Sequence, residues 1–239
     1  MIATVQTLKT KYYPGGAKDG TLLFYSWLRK RTRNDFTALN IGAGPTADRK
    51  VKSLKGEVKR VIGIDIDKAV LENEDLDQSM VIEKNKFPFG DDYFDLAWAD
   101  YVMEHVEDPM SFLCEVSRVL KPGASFFFRT PNKYHYVSLI GRMTPHWFHE
   151  RVANRARGLA PDAHEPYPTY YRHNSRKEIS DCARSAGFRV VELKFVESEP
   201  SYLVFNPLAF RIGIAYERFV NRYDGLQVLR SNIFGRLEK

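Results

Sequence analysis

Gly42, Gly44 and Asp65 are the residues of this chain whose types and spacing first point to chemistry. The two glycines close the apolar run Ala38-Leu39-Asn40-Ile41, and Asp65 ends a second apolar run, Gly63-Ile64-Asp65, about twenty residues on. Glycine after a strand lets the backbone take positive φ and pass close to a ligand. A carboxylate at the end of the next strand can accept hydrogen bonds from two ribose hydroxyls. Strand, glycine turn, helix, strand, acid is the order of a nucleotide-binding half-site, and that order carries more information than Gly-x-Gly alone. Two histidines follow later apolar strands. His105 sits after Phe94-Asp95-Leu96-Ala97-Trp98-Ala99 and is the first candidate for a general base, with capping or packing of the next helix as its structural alternative. His135, between Tyr134 and Tyr136, is the second. An imidazole has an ordinary pKa of ~6.5, suited to proton transfer near neutrality.

Alternating strands and helices must hold these residues, a pattern that specifies a mostly parallel sheet covered on both faces. A leading helix is expected over 18–33, strands at 36–41, 58–64, 79–83 and 94–99, a helix from about 46, and a short acidic helix over 68–77. Pro109 opens a helix to Leu120, Lys121-Pro122-Gly123 turns the chain, and Ser125-Phe126-Phe127-Phe128 forms strand five. Regularity then stops. Residues 131–174 hold five of the six histidines and many aromatics, broken by prolines. A helix at 175–186, with Gly187 as its C-cap, precedes strands near 188–197 and 200–205 and a terminal helix beyond 207.

Residues 36–130 resemble class I S-adenosylmethionine-dependent methyltransferases that act on small molecules. Leu39-Asn40-Ile41-Gly42-Ala43-Gly44 matches the family's glycine loop and Gly63-Ile64-Asp65 its ribose acid. Phe87-Pro88-Phe89 through Phe94-Asp95, Met103-Glu104-His105-Val106 and Arg118-Val119-Leu120-Lys121-Pro122-Gly123 match the blocks that follow. The resemblance implies a Rossmann-like α/β fold with a seven-stranded, mostly parallel sheet, helices on both faces and an insertion after strand five. It implies one domain over 1–239: an N-terminal helical segment (1–35), a cofactor-binding core (36–130), an inserted substrate or lid region (131–174) and the remainder of the core with a terminal helix (175–239). By the same resemblance, Asn40, Gly42, Ala43 and Gly44 surround the methionine moiety of S-adenosylmethionine, and Asp65 holds the ribose. Ile66 packs on the adenine, Glu83 and Lys84 lie at its edge, and Asp100 and Tyr101 stand beside the cofactor, with S-adenosylhomocysteine as product. Asn40 stands where an acid is common, and Thr46 replaces a third glycine.

Two rival classes fit parts of the chain. Gly42-Ala43-Gly44-Pro45-Thr46-Ala47 also fits the Gly-x-Gly-x-x-Ala of an NAD(P)-dependent oxidoreductase, but the Phe87–Val106 block has no role in holding a second nucleotide. The other is a noncatalytic protein of methyltransferase fold. Methyl transfer to a hydroxyl of a sugar, lipid or other metabolite is the leading reading, with Tyr134, His146, His149, Tyr170, Tyr171 and Arg172 as acceptor-site candidates. His146, His149, His164 and His173 lack an acidic or cysteine partner at fixed spacing, and Tyr101 stands where some relatives place a first metal-binding glutamate, so no metal is expected. Nothing resembles a nucleic-acid module, and the two cysteines suit a reducing, cytoplasmic setting. The net charge of +6 is uneven: residues 129–177 hold nine basic and three acidic residues. With the apolar residues and arginines beyond 207, this raises transient contact with a membrane surface. Oligomeric state has no signature in the sequence.

Overall fold

Strand β1 (Thr37–Ile41) pairs in parallel with β2 (Arg60–Asp65) on one side and β4 (Phe94–Asp100) on the other, and β2 pairs with β3 (Gln78–Val81). Strands β1, β2 and β4 are short, largely buried apolar runs, the composition a parallel sheet demands, whereas the edge strand β3 is half-exposed and more polar. The structure is a computed structural model describing residues 4–47, 50–84, 86–143 and 167–239. Strand β5 (Leu120–Pro131) runs parallel to β4, and β6 (Arg189–Val196) and β7 (Asn232–Glu238) complete a seven-stranded sheet ordered β3-β2-β1-β4-β5-β7-β6. The Lys239 and Gly123 pair at one end of β5 and the Asn132 and Ser231 pair at the other make β7 antiparallel to β5, so the sheet is mixed.

Six α-helices are described: α1 (Val5–Tyr12), α2 (Gly20–Arg29), α3 (Pro109–Val119), α4 (Tyr136–Met143), α5 (Arg176–Ser185) and α6 (Pro207–Arg222). Helix α3 begins at Asp108, whose carboxylate accepts from Ser111 N, and buries Phe112, Leu113, Val116 and Val119 at helical spacing. Its Phe112 meets Phe126, whereas Trp27 of α2 meets Phe127, 4.8 Å between centroids. Neighbouring residues of a strand point to opposite faces, so α2 and α3 cover opposite faces of the sheet.

Four expectations are corrected. The helix from about 46 is, among the described residues, a single 3-10 turn at Lys50–Lys52. Thr46 and Ala47 are tied to the 72–75 segment instead, Thr46 Oγ1 donating to Glu72 O and Ala47 N to Asp75. The acidic helix is a 3-10 turn, Lys68–Glu72. The strand at 200–205 is a 3-10 turn, Ser201–Leu203, because Pro200 packs on Gly213, where a Cβ would lie 2.5 Å from the proline Cβ. The end of the presumed terminal helix is β7, whose Gly235 leaves room for the Phe128 ring; a Cβ there would lie 2.1 Å from Phe128 Cζ.

The chain divides into two compact units. One comprises residues 24–130, 169–194 and 233–239, and holds the sheet up to its last residues. The other comprises residues 1–23, 131–168 and 195–232. In the latter, Leu8 and Tyr13 pack on Phe210 and Ile214. Most of the presumed insertion after strand five lies outside the described residues; its first part contains α4.

Candidate active site

The loop after β1 is shaped by its own backbone. Gly42 and Gly44 stand at φ +69° and +56°. The Gly42 and Ala43 amides donate to Ile64 O at 2.8 and 3.1 Å, and Gly44 N donates to Asp65 Oδ2 at 2.8 Å. A Cβ on Gly42 would sit 2.3 Å from Val102 Cγ2, whereas one on Gly44 would meet nothing within 4 Å. The loop is therefore pressed against the segment after β4 at one glycine and open at the next. Asn73 braces it from behind, its Nδ2 shared among the carbonyls of Ala43, Gly44 and Pro45 at 3.2, 2.9 and 3.1 Å. Nothing in the sequence marked Asn73, which sits in an acidic stretch with no motif. Asn40 is half-buried on β1, between Gly63 and Trp98 of the flanking strands.

Asp65 has a second task here, holding the loop as well as facing it. Its Oδ1 accepts from Asp67 N at 2.9 Å, and each oxygen keeps lone-pair capacity for a ribose hydroxyl. Ile66 presents an apolar side chain, 53% exposed. Val81, Ile82, Glu83, Lys86 and Pro88 line a shallow depression of ≈ 200 Å³ just past β3, and the adjoining Lys84 holds φ +44°. An apolar platform, an acceptor carboxylate and open backbone at Gly44 fit an adenosyl group.

The other half of the edge, past β4 and β5, is built from buried polar side chains. Arg129 grips Asp100 through two bonds of 2.6 and 2.7 Å, the side chains 3% and 12% exposed. The guanidinium lies 4.3 Å from the Tyr101 ring centroid and 5.5 Å from that of Phe24. Asp100 thus has Arg129 as its partner, and Tyr101 is held at φ +60°, a left-handed backbone uncommon for a bulky residue, with its amide donating to Arg129 O. Beyond it, Asn174 Nδ2 donates to Thr130 Oγ1 at 2.7 Å, and Thr130 donates to Glu104 Oε2 at 3.0 Å. Burial pushes the Glu104 carboxyl up to about 8 despite that bond, so Glu104 is protonated at neutral pH. Burial also lowers the neighbouring-in-sequence His173 to about 4; its imidazole is fully buried with neither nitrogen hydrogen-bonded. Sequence reading gave Arg129, Thr130, His173 and Asn174 no place at the site; Arg129-Thr130 at a strand end was the one available signal.

His105 lies on the 3-10 turn Met103–His105, about a third exposed, with Nε2 4.0 Å from Glu104 Oε1, beyond hydrogen-bond range. The amides of Tyr170 and Tyr171 donate to Glu104 O at 2.8 and 3.3 Å, and Arg172 donates to Glu107 O. Three acceptor-site candidates are thereby brought to the turn that carries His105. Arg172 also covers the Tyr170 ring, 5.3 Å to its centroid. His135 falls in the other compact unit, 3% exposed, with Nε2 3.6 Å from Glu197 Oε1 and its ring 4.2 Å from Tyr136. Tyr134 is in that unit too, 45% exposed. His146 and His149 lie outside the described residues. Among the described residues no three His, Cys, Asp or Glu side chains gather as a metal ion requires, and no helix is long and apolar enough to cross a membrane.

Residues 39–128 match the family described as "Methyltransferase domain". The ubiquinone biosynthesis O-methyltransferase of Ralstonia nicotianae is 28% identical over 131 residues, 54% of this chain and 46% of its own. The enzyme of the same name from Pseudomonas syringae pv. tomato is 25% identical over 195 residues, 77% of this chain and 74% of its own. The chain spans about half the length of the Ralstonia relative. An S-adenosylmethionine-dependent methyltransferase from Aquifex aeolicus shares the fold, with a TM-score of 0.53 at 17% identity over 98% of both chains. The segment 39–128, which carries the glycine loop and Asp65, is thus similar to a methyltransferase domain, and the chain shares its fold with the Aquifex enzyme.

Proposed function

We propose that the chain transfers a methyl group from S-adenosylmethionine to a hydroxyl of a small-molecule acceptor, with His105 removing the hydroxyl proton. The observation that carries this reading is the meeting of the His105 turn with Tyr170, Tyr171 and Arg172 at the carboxyl edge of the same sheet whose β1 and β2 end in the glycine loop and Asp65. In open α/β sheets, that edge is where ligands bind. The O-methyltransferase names of the relatives favour oxygen as the accepting atom.

When bound, the sulfonium supplies an already activated methyl group. The chain's part is alignment and proton removal. Gly44 N and Asp65 fix the loop that faces the cofactor, and the Asp100 and Arg129 pair fixes the end of β4. Protonated Glu104, pinned by Thr130 and by the 170–171 amides, holds the turn beneath His105 without placing a negative charge beside it. Positioning of this kind supplies ~7 to 11 kcal/mol in favourable cases. In this proposal Tyr170, Tyr171 and Arg172 contribute to the acceptor site, and His135 is a packing residue of its own unit instead of the base. The two free cysteines favour a reducing, cytoplasmic location in this reading.

The test is release of S-adenosylhomocysteine with a panel of phenols, catechols, sugars and prenylated phenols. Turnover with a hydroxyl acceptor, lost in His105→Gln while cofactor affinity holds, supports the proposal. Binding of cofactor with no turnover on any hydroxyl would favour a noncatalytic role.

A further inference from the structure

Helix α6 has one face committed to its own unit and one that no described residue of that unit covers. Phe210 and Ile214 pack on Leu8 and Tyr13, and Gly213 admits Pro200. Glu217, the one acid of the helix, is buried on that inner side, accepting from Tyr13 and Asn221. The outer side carries Leu208, Ile212 and Phe219, exposed 67%, 62% and 55%, interleaved with exposed Arg211, Arg218 and Arg222. These positions recur at helical spacing, so they form one stripe. Phe205, just before the helix, and Tyr223, just after it, extend the stripe and are exposed by 61% and 49%. Arg218 rests over the Tyr12 ring at 4.9 Å and Arg222 over that of Tyr223 at 5.8 Å.

Isolated exposed apolar residues are ordinary, but a row of this length marks an interaction site. Its charge selects the occupant. The outer side of the helix carries three arginines and no carboxylate, and Asp224 past its end is paired with Arg230; this complements an anionic surface, whereas a two-fold contact with a second copy would set arginine against arginine. Large apolar side chains between cations are the pattern of a helix lying in a lipid headgroup layer. We propose that this face of α6 docks the chain on an anionic lipid bilayer, Leu208, Ile212 and Phe219 entering the acyl boundary while Arg211, Arg218 and Arg222 meet lipid phosphates. The inference is independent of the methyl-transfer reading.

It is tested by sedimenting the full chain with vesicles of phosphatidylcholine alone or mixed with phosphatidylglycerol, at low and high salt. Binding is expected only with phosphatidylglycerol and should fade with salt. Arg211→Gln and Arg218→Gln should each weaken it about fivefold, and the double variant Ile212→Glu, Phe219→Glu should abolish it. Retained circular dichroism in the variants shows that the fold survives, and S-adenosylhomocysteine titration of the same samples separates this face from the cofactor reading. Absence of sedimentation with anionic vesicles, or equal binding by wild type and double variant, overturns the proposal. So does a dimer of the wild type that Phe219→Glu dissolves, which would assign the face to a second copy.

Discussion

The two halves of the candidate site are held by different physics. Past β1 and β2, the glycine loop is fixed by backbone amides, positive φ at two glycines and a single carboxylate. Past β4 and β5, the geometry rests on buried polar side chains drawn from residues 100, 104, 129, 130 and 174. Apart from Asp65, the loop is held by amide-to-carbonyl bonds, its own and those of Asn73, which do not titrate. The other network is centred on a buried carboxyl that gains or loses a proton, so the same sheet edge joins a cradle held mainly by non-titrating groups to a turn whose order depends on proton occupancy.

Perturbing each half separately should expose this contrast. The largest effect is expected at His105: His105→Gln should lower kcat by about 10²- to 10⁴-fold with cofactor affinity nearly unchanged, as single-turnover and titration measurements would show. Next comes Arg129→Met, which leaves the Asp100 carboxylate, 12% exposed, without its cationic partner. Loss of ~3 to 5 kcal/mol in urea unfolding is expected, because an uncompensated buried charge costs far more than the pair contributes.

A pH effect should appear in the same half. The folded pKa of Glu104, about 8, lies above its ordinary 4.5, so between those values the folded chain keeps a proton that the unfolded chain has released. The stability this gives is fully present below about 4.5 and is lost as pH rises through about 8, at up to ~1.4 kcal/mol per pH unit. Glu104→Gln should flatten that slope relative to wild type in unfolding curves taken across the range. Smaller still, Gly44→Ala should cost ~1 kcal/mol, since open space leaves only the φ penalty. Gly42→Ala should cost more, its Cβ meeting Val102; equal losses at the two glycines would break the account of the loop.

The same contrast explains what the sequence made legible. Gly42, Gly44 and Asp65 announce themselves because positive φ and a strand-end carboxylate are local requirements, and the parallel strands follow from short apolar runs between turns. Strand β7 was hidden because its place depends on Phe128 filling the space over Gly235, more than a hundred residues away in sequence. The turn at Ser201–Leu203 was hidden for a similar reason, since Pro200 is answered by Gly213 of α6. Glu104 was visible as part of a motif but not as a neutral acid, because its protonation comes from burial beneath segments that arrive from residues 130 and 170–174. Asn73 gave no signal at all, its three carbonyl partners lying on a loop about thirty residues earlier.

The central claim, that the β1 and β2 edge is an adenosyl site, is tested most directly by calorimetric titration of wild type and Asp65→Ala with S-adenosylhomocysteine and NADH. The account predicts that S-adenosylhomocysteine binds the wild type, that Asp65→Ala weakens it by about 10- to 100-fold through loss of charged hydrogen bonds, and that NADH does not bind. Binding of NADH in place of the adenosyl ligand, or equal affinity in Asp65→Ala and wild type, would contradict it.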